Sequence, residues 1–379
     1  MKKKKRAGRG LDVALPAVAG GGHQKPWRTS NTEAAGTSGP SAANADSLSY
    51  WPTEGWKVTS PEAQGMDSAA IERTIEAFRE RQVRSVAVVR NGCLVAEHYS
   101  EGTGADKPQN MYSVTKSITS ALAGIALADR KLKSVDQRLA DFFPELNKHP
   151  LKSQIRIKHL LSMTSGLEWA DDRNQSSEAM MYSPDWIRTV LEQPQQYPPG
   201  SKYNYSNGDA HLMSAVLHKA TGQPLLDYAK SRLFAPLGIT NVLWNSDPQG
   251  YSIGAWAMAL TLRDMAKIGL LYLKGGLWEG RTVIPKRWIR ESLMKRAWLN
   301  YPDGSQGGYG YFWWLKPLAP GLVQGQTKQY DTFYAAGSFG QRIFVVPALQ
   351  LIVAATAYSS DVEMPEQLLN GIIQAIKSV

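Results

Sequence analysis

The sequence predicts an α/β (α+β) fold, with an antiparallel sheet built from both ends of the chain, flanking N- and C-terminal helices and a mainly helical lobe. Residues 85–100, SVAVVRNGCLVAEHYS, contain two β-rich runs around Asn91-Gly92, a pair that fits a type I′ hairpin turn. Residues 341–360, QRIFVVPALQLIVAATAYSS, contain two more such runs. Between about 129 and 298, apolar residues recur mainly at helical spacing. We therefore expect one sheet with helices inserted between its two parts.

Two amphipathic helices are predicted to flank the sheet. In the first, Asp67 or Ser68 caps a helix whose apolar residues recur at helical spacing through Phe78. The second covers MPEQLLNGIIQAIKSV, residues 364–379. Both have one apolar face, which we expect to pack on the sheet.

The predicted domain covers residues 51–379, and a chain that is 43% hydrophobic can bury a large core. We assign residues 51–128 and 299–379 to the α/β lobe and residues 129–298 to the helical lobe. The seam between two lobes is a natural place for a pocket, so we expect the functional site there.

The formal charge of +10 does not indicate a nucleic-acid-binding protein. Residues 1–10 hold six basic side chains and no acid, and the remaining chain has 37 basic against 33 acidic residues. That balance, without a Lys/Arg stripe or a nucleic-acid motif, predicts no nucleic-acid partner. No stretch approaches the ~18 consecutive apolar residues of a membrane-spanning helix. The oligomeric state, monomer or homodimer, stays open.

Cysteine and histidine usage predicts neither a disulfide nor a metal site. Cys93 is the only cysteine, which excludes an intrachain disulfide and a cysteine-based zinc site. The six histidines show no HExxH or paired spacing, and His159 is interpreted as a buried structural residue. No GxGxxG or GxxxxGK pattern is present. We expect no metal and no cofactor.

Residues 1–50 are predicted to be a disordered basic tail and linker. MKKKKR, the apolar stretch LDVALPAVAG and its small-residue pattern AVA fit an export signal, although an acid and a proline interrupt the stretch. A solvated basic tail fits as well. Residues 20–49 have the composition of a linker. The protein is expected to be periplasmic if residues 1–19 act as an export signal and cytoplasmic otherwise.

A serine and a lysine three residues apart open a predicted helix at MYSVTKSITSALAG, residues 111–124. The helix is apolar or small nearly all round, so we expect it to be buried. A buried ammonium must be paired or partly neutral, because desolvation lowers the pKa of a lysine. Ser113 and Lys116 share one helix face at hydrogen-bonding distance, and a helix N-terminus favours a developing oxyanion. A nucleophilic serine and a polar N-cap beside a solvent-reaching lysine fit equally well.

The same spacing occurs at Ser292 and Lys295, so spacing alone decides nothing. That pair lies in IPKRWIRESLMKRAW, residues 284–298, which is predicted to be an amphipathic surface helix. The surroundings therefore favour Ser113 over Ser292 as a nucleophile.

A turn-forming segment, YPPGSKYNYSNGDA at residues 197–210, contains a second group of candidates. Tyr205 beside a lysine cation loses its proton more readily and can relay it between serine, substrate and leaving group. Asn207 offers a donor and an acceptor that can hold the lysine or a substrate amide. The alternative is a structured loop without a chemical role.

Together, several segments resemble the serine β-lactamase and penicillin-binding-protein superfamily, and most closely its class C-like branch of carboxylesterases and 6-aminohexanoate-dimer hydrolases. The resemblance covers nearly the whole chain from about residue 55 and implies the β-lactamase/transpeptidase-like fold. The segments, in the superfamily's order, are SVTK at 113–116, HLLSMTSGL at 159–167, YPPGSKYNYSNG at 197–208 with YSN at 205–207, and AAGSFGQRIFVVP at 335–347.

The resemblance implies a role for each matching residue. Ser113 would form an acyl-enzyme, and Lys116 would keep its hydroxyl ready for deprotonation. Tyr205 would act first as general base and then as general acid. Asn207 falls on the superfamily's amide position.

The superfamily's third motif, Lys/His-Thr/Ser-Gly, corresponds here to Ala335-Ala336-Gly337, followed by Ser338. Gly337 keeps the close backbone approach, and the Ser338 N–H would join the N–H of the serine nucleophile as the oxyanion hole. Two alanines cannot hold a substrate carboxylate, which argues against β-lactam hydrolysis and D-Ala-D-Ala peptidase activity. Arg342 is interpreted as pointing along an edge strand rather than replacing the missing charge.

The preferred function is therefore hydrolysis of a small ester or amide, by an esterase or a 6-aminohexanoate-oligomer-type amidase. The alternatives are a β-lactamase or D-amino-acid peptidase, or a non-catalytic relative that binds peptide or cell-wall ligands. We expect the loop at residues 168–186, including Tyr182, to border the pocket, where Asp171 or Asp172 would receive a substrate amine. A solvated acidic loop is the alternative.

Overall fold

The computed structural model describes residues 50–170, 175–301 and 304–377. Of the predicted tail and linker, residues 1–50, all but residue 50 lie outside this range. In the described parts of the chain, no helix is both long and apolar enough to cross a bilayer. The helices are α1 (Ser68–Arg79), α2 (Val114–Ala128), α3 (Ile157–Leu161), α4 (Gln175–Met181), α5 (Trp186–Glu192), α6 (Asn207–Thr221), α7 (Leu225–Ala229), α8 (Leu262–Leu273), α9 (Lys286–Ser292) and α10 (Met364–Gln374).

One antiparallel sheet contains strands from both ends of the described chain. Its eight strands are β1 (Val83–Arg90), β2 (Cys93–Tyr99), β8 (Ala297–Asn300), β9 (Gln306–Tyr309), β10 (Trp314–Pro317), β11 (Asp331–Gly337), β12 (Gln341–Val346) and β13 (Leu351–Ala357), in the order β2-β1-β13-β12-β11-β10-β9-β8. The smaller pairings use β3 (Gln109–Asn110), β4 (Leu243–Trp244), β5 (Met258–Leu260), β6 (Leu277–Trp278) and β7 (Arg281–Thr282).

The β1–β2 hairpin turns where the sequence predicts it. Asn91 and Gly92 have φ values of 50° and 79°, as a type I′ turn requires. At the other end of the chain, β12 and β13 pair antiparallel across a short turn, with Val346 opposite Leu351. The predicted fold class, an antiparallel sheet with flanking helices and further helices beside it, is confirmed.

One face of the sheet is covered by α1 and α10. The carboxylate of Asp67 caps α1 by accepting the Ala70 N–H at 2.9 Å. From these helices, Ile71 and Ile372 pack into one buried cluster with Val353 of β13. Full burial of such a side chain stabilises the fold by about 1.5–3 kcal/mol. The predicted N- and C-terminal helices are thus both present on this face.

The opposite face packs against α8 and α2. A Cβ on Gly269 of α8 would lie 2.8 Å from Ile352 Cγ2, so the glycine allows the helix to approach the sheet closely. A Cβ on Gly124 of α2 would lie 2.2 Å from the Trp288 ring of α9. Because α2 contacts the sheet on one side and α6 and α9 on others, residues 114–126 are all buried. The helix behind Ser113 is therefore as buried as its composition predicts.

Candidate active site

Ser113 lies at the N-cap of α2, directly after Tyr112, whose positive φ of 47° turns the chain into the helix. The Ser113 hydroxyl makes no capping bond to the helix. It accepts a 2.9 Å hydrogen bond from Lys116 Nζ instead. Lys116 is only 2% exposed, so a polar N-cap beside a solvent-reaching lysine does not describe this site.

The acceptors of hydrogen bonds from Lys116 include oxygen atoms of three residues among those described. Besides Ser113 Oγ, they are Asn207 Oδ1 at 2.7 Å and the Ala255 carbonyl oxygen at 2.8 Å. The centroid of the Tyr205 ring lies 4.8 Å from the same nitrogen. These contacts offset the cost of taking an ammonium group out of water. The sequence does not predict the Ala255 contact, because a backbone carbonyl leaves no mark in the side-chain pattern.

Asn207 is the first residue of α6 and follows the N-cap Ser206, whose hydroxyl accepts the Asp209 N–H at 3.0 Å. Asn207 Nδ2 donates to Ser177 Oγ at 2.9 Å, while Oδ1 accepts from Lys116. Because the ammonium has only donors, these two partners fix the orientation of the amide. Ser177 of α4 has no signal in the sequence and becomes visible only when α4 packs beside α6.

The ring of Tyr205 is half-buried in an aromatic wall. It stacks on Trp314 at a centroid distance of 6.0 Å and an interplanar angle of 26°, and it meets Tyr309 edge-on at 6.4 Å. Pairs of this kind contribute about 0.5–1.5 kcal/mol beyond area burial. They hold the ring over Lys116. The aromatic segment YGYFWW, residues 309–314, is the sequence signal for this wall.

The C-terminal end of β11 approaches the N-terminus of α2. A Cβ on Gly337 would lie 2.3 Å from the Met111 carbonyl oxygen and 3.1 Å from Ser113 N, so a side chain at 337 would prevent this approach. Pairing of β11 with β10 ends at Tyr334, and the strand continues past that residue to Gly337. Ser338 follows in a short 3-10 turn. The backbone of this turn therefore lies close to the backbone amide of Ser113.

A second aromatic group lies beside this turn. Phe339 has a φ of 63°, in the left-handed region that non-glycine residues rarely adopt. Its ring meets Tyr112 edge-on at 5.1 Å and stacks on Tyr358 at 5.0 Å. The residue before Ser113 and the residue after Ser338 are thus in direct contact.

Arg342 lies on an interior strand, which corrects the expectation of an edge strand. β12 pairs with β11 on one side and with β13 on the other. Arg342 Nη1 donates to the carbonyl oxygens of Gly337 and Gln341, both at 2.9 Å. Burial lowers the pKa of this guanidinium. The sequence alone does not reveal this geometry, because it does not say that β11 pairs with the side of β12 that faces away from β13.

The residues predicted to border the pocket from the loop at 168–186 do not all contact the residues around Ser113 and Lys116. Asp171 and Asp172 lie outside the described residues. Tyr182 follows α4 and is 86% exposed. Within the described chain, no hydrogen bond or ring contact joins Tyr182 to Ser113 or Lys116. α4 nevertheless reaches the site through its hydrogen bond to Asn207.

Burial also shifts the pKa values of Asp209 and His159. Asp209 is 1% exposed, and burial raises its pKa to about 7. Burial, with the charges of Lys158 and Arg156, lowers the pKa of His159 to about 4. His159 Nδ1 accepts the Arg156 N–H at 3.1 Å, as in a neutral structural imidazole. Among the described residues, no cluster of three or more His, Cys, Asp or Glu side chains is arranged to hold a metal ion.

The chain belongs to the beta-lactamase family, whose model matches residues 71–374. Members of this family are serine hydrolases that include esterases, amidases and β-lactamases. A mixed fold of one antiparallel sheet with helices agrees with that assignment.

Individual relatives differ in their named activities. The chain is 22% identical over 289 residues to the 6-aminohexanoate-dimer hydrolase of Paenarthrobacter ureafaciens, covering 70% of each chain. It is 32% identical over 126 residues to a provisionally named D-alanyl-D-alanine carboxypeptidase of Escherichia coli (strain K12), which is 31% of this chain and 29% of that relative's length. The crystal structure of a family VIII carboxylesterase superposes with a TM-score of 0.63 at 16% identity, covering 81% of this chain and 97% of that one.

Proposed function

We propose that this protein is a serine hydrolase that cleaves a small ester or amide through an acyl-enzyme on Ser113. One observation carries the proposal: a buried lysine donates to the Ser113 hydroxyl at 2.9 Å and is itself surrounded by Asn207, Ala255 and the Tyr205 ring. A nucleophile, a proton partner and a third orienting group are the elements of an activated serine. A module that only binds ligands has no need of all of them.

In the proposed reaction, Ser113 Oγ attacks the substrate carbonyl carbon while its proton passes to Tyr205. The nearby Lys116 ammonium favours the phenolate that accepts this proton. The bond from the carbonyl carbon to the leaving group then breaks, and Tyr205 gives the proton to the departing oxygen or nitrogen. Water next attacks the acyl-enzyme with Tyr205 as base. The bond between the acyl carbon and Ser113 Oγ then breaks, Tyr205 returns the proton to Ser113 Oγ, and the acid leaves.

The developing oxyanion is proposed to lie between the backbone amides of Ser113 and Ser338. Two observations support this position. Gly337 brings the end of β11 against Ser113 N, and the amide of Ser113 lies at the N-terminus of a 15-residue helix, where the helix dipole favours negative charge. Donors fixed in advance in this way often supply the largest single contribution to an acyl-transfer rate.

For the substrate, we propose a small ester or amide, as in an esterase or a 6-aminohexanoate-oligomer-type amidase. Ala335 and Ala336 offer no group for a carboxylate, and Nη1 of Arg342 is bound by two carbonyl oxygens. The aromatic residues Tyr112, Phe339 and Trp314 near the site favour an apolar acyl or leaving group. Asp171, Asp172 and Tyr182 stay in the proposal as residues that would border an amine-bearing substrate.

The test is covalent labelling with a fluorophosphonate followed by peptide mass mapping. The proposal predicts one adduct on Ser113 in the wild type, no labelling of Ser113→Ala, and full labelling of Ser292→Ala. An unlabelled wild type, or equal labelling of Ser113→Ala, contradicts it. A parallel screen of p-nitrophenyl esters, linear amides and nitrocefin identifies the substrate class. Hydrolysis of nitrocefin alone would favour the β-lactamase alternative.

A further inference from the structure

A buried hydrogen bond joins His211 of α6 to Asp247, outside the group of residues around Ser113. His211 Nε2 donates to Asp247 Oδ2 at 2.9 Å, and both side chains are fully buried. Asp247 Oδ1 also accepts the N–H groups of Gln249 and Tyr251, at 2.9 Å and 2.8 Å. A buried pair of this kind is weak evidence for stability, because well-packed apolar residues often replace it without loss. Its position in the fold therefore suggests another role.

The pair anchors one end of a segment that reaches the active site. We name residues 245–257 the strap. Ser214 of α6 donates to the Ser252 carbonyl at 2.6 Å, and Thr119 of α2 donates to the Gly254 carbonyl at 3.1 Å. A Cβ on Gly254 would lie 2.4 Å from the Ala210 carbonyl oxygen, so the strap packs directly on α6. The strap thus lies between the two helices that carry the active-site residues.

The other end of the strap is held by a series of contacts between aromatic rings. Trp186 meets the His211 ring edge-on at 5.4 Å and packs against Trp256 at 5.8 Å. Trp256 adjoins Ala255, whose carbonyl oxygen accepts the hydrogen bond from Lys116. His211 is therefore linked to the strap at Asp247 directly and at Trp256 through one ring.

We propose that His211 and Asp247 are positioning residues that set the Ala255 carbonyl on Lys116. Asn207 and His211 are four residues apart, so they share one face of α6. The helix supplies one Lys116 acceptor directly, through Asn207, and fixes a second through the strap. This inference rests on the proposed function, because it assigns these residues to the activation of Ser113.

The test compares the double variant His211→Leu/Asp247→Leu with Tyr228→Phe. The double variant removes both hydrogen-bonding partners, so neither is left buried without the other, and it frees the strap. We expect kcat on a p-nitrophenyl ester and the rate of fluorophosphonate labelling to fall about 100-fold with KM nearly unchanged, because small displacements of catalytic groups cost this much. Tyr228 of α7 is similarly buried, and Tyr228→Phe loses one hydrogen bond, to Asp129 at the C-terminal end of α2. Among the described residues, no hydrogen bond or ring contact joins the Tyr228 side chain to the strap. Tyr228→Phe should keep both rates.

Two milder variants keep the test decisive if the double variant does not fold. Ser214→Ala removes only the bond to the Ser252 carbonyl, and we expect a loss in kcat of about tenfold. His211→Gln retains a donor for Asp247 and should restore most of the rate.

Different outcomes overturn different claims. An unlabelled wild type contradicts the proposed function itself. If Ser113 of the wild type labels but folded strap variants label at the same rate, the positioning role is wrong. The same holds if kcat and KM change together in the strap variants and in Tyr228→Phe.

Discussion

The chain contains the same serine–lysine spacing twice, and the two lysines differ in burial and in hydrogen bonding. Lys116 is 2% exposed and donates to Ser113, Asn207 and Ala255. Lys295 is exposed and lies over the Trp298 ring at 3.9 Å. Among the described residues, no hydrogen bond joins it to Ser292. The spacing places the two side chains on one face only when both belong to one helix.

At the second pair the helix ends too early. The sequence predicts a surface helix through residue 298, but α9 ends at Ser292 and the chain then enters β8. The Ser292 hydroxyl is buried and donates to the Ile289 carbonyl at 3.1 Å. Burial of the lysine by other elements, rather than the motif, therefore distinguishes the two pairs. The predictions below use the second pair as a control for the first.

Removal of the nucleophile should have the largest effect. Ser113→Ala is expected to lower kcat/KM on any accepted ester by at least about 10⁴-fold, because no other group forms the acyl-enzyme. Ser292→Ala should keep the wild-type value. Steady-state kinetics on a p-nitrophenyl ester provide the measurement. Comparable losses in both variants would remove the contrast between the pairs.

Removal of the lysine should have the next largest effect. Lys116→Met is expected to lower kcat by about 10³-fold, because the serine loses its charged partner. Lys295→Met removes an exposed charge and should leave kcat unchanged. Circular dichroism checks that both variants are folded. Retained activity in a folded Lys116→Met variant would contradict the assigned role of this lysine.

Removal of the phenol tests the proton relay. Tyr205→Phe keeps the ring stacked on Trp314 but cannot carry a proton, so we expect kcat to fall about 10²-fold. Tyr203→Phe is the matched control, since the Tyr203 hydroxyl is buried without a hydrogen-bond partner among the described residues. If the two variants retain the same activity, Tyr205 is not the proton carrier.

The smallest effect concerns the free energy of unfolding and its dependence on Asp209, a buried residue of the helix that begins with Asn207. Burial raises the pKa of Asp209 from 3.8 to about 7, so between these values the folded state keeps a proton that the unfolded state releases. The free energy of unfolding should therefore fall as pH rises from about 4 to 7. Asp209→Asn removes this fall and should be more stable than the wild type at pH 8 by on the order of 2–4 kcal/mol. Urea unfolding at pH 5 and pH 8 measures the difference, and equal pH dependence in both proteins would contradict it.

Local patterns in the sequence predict much of the fold. Asn91-Gly92 fixes the first hairpin, Asp67 caps α1, and the apolar residues after Ser113 predict a buried helix, because each depends on near neighbours. Burial of Lys116 follows from the same pattern.

Contacts between distant segments are not predicted. The Ala255 carbonyl has no side-chain signature, and the interior position of Arg342 depends on the pairing of β12 with β11 as well as with β13. Ser177 reaches Asn207 only through the packing of α4 on α6. The early end of α9 also escapes prediction, because periodicity continues into a segment that pairs as a strand.

The most direct test of acyl transfer to Ser113 is to trap the intermediate. The protein is mixed with a p-nitrophenyl ester, quenched in acid within one turnover, digested with trypsin and analysed by mass spectrometry. The two serines fall in different tryptic peptides, residues 91–116 and residues 291–295. We predict the added acyl mass on Ser113 in the first peptide and none on the second. Product release without an acyl mass on the first peptide, or an acyl mass on Ser292, would contradict the account.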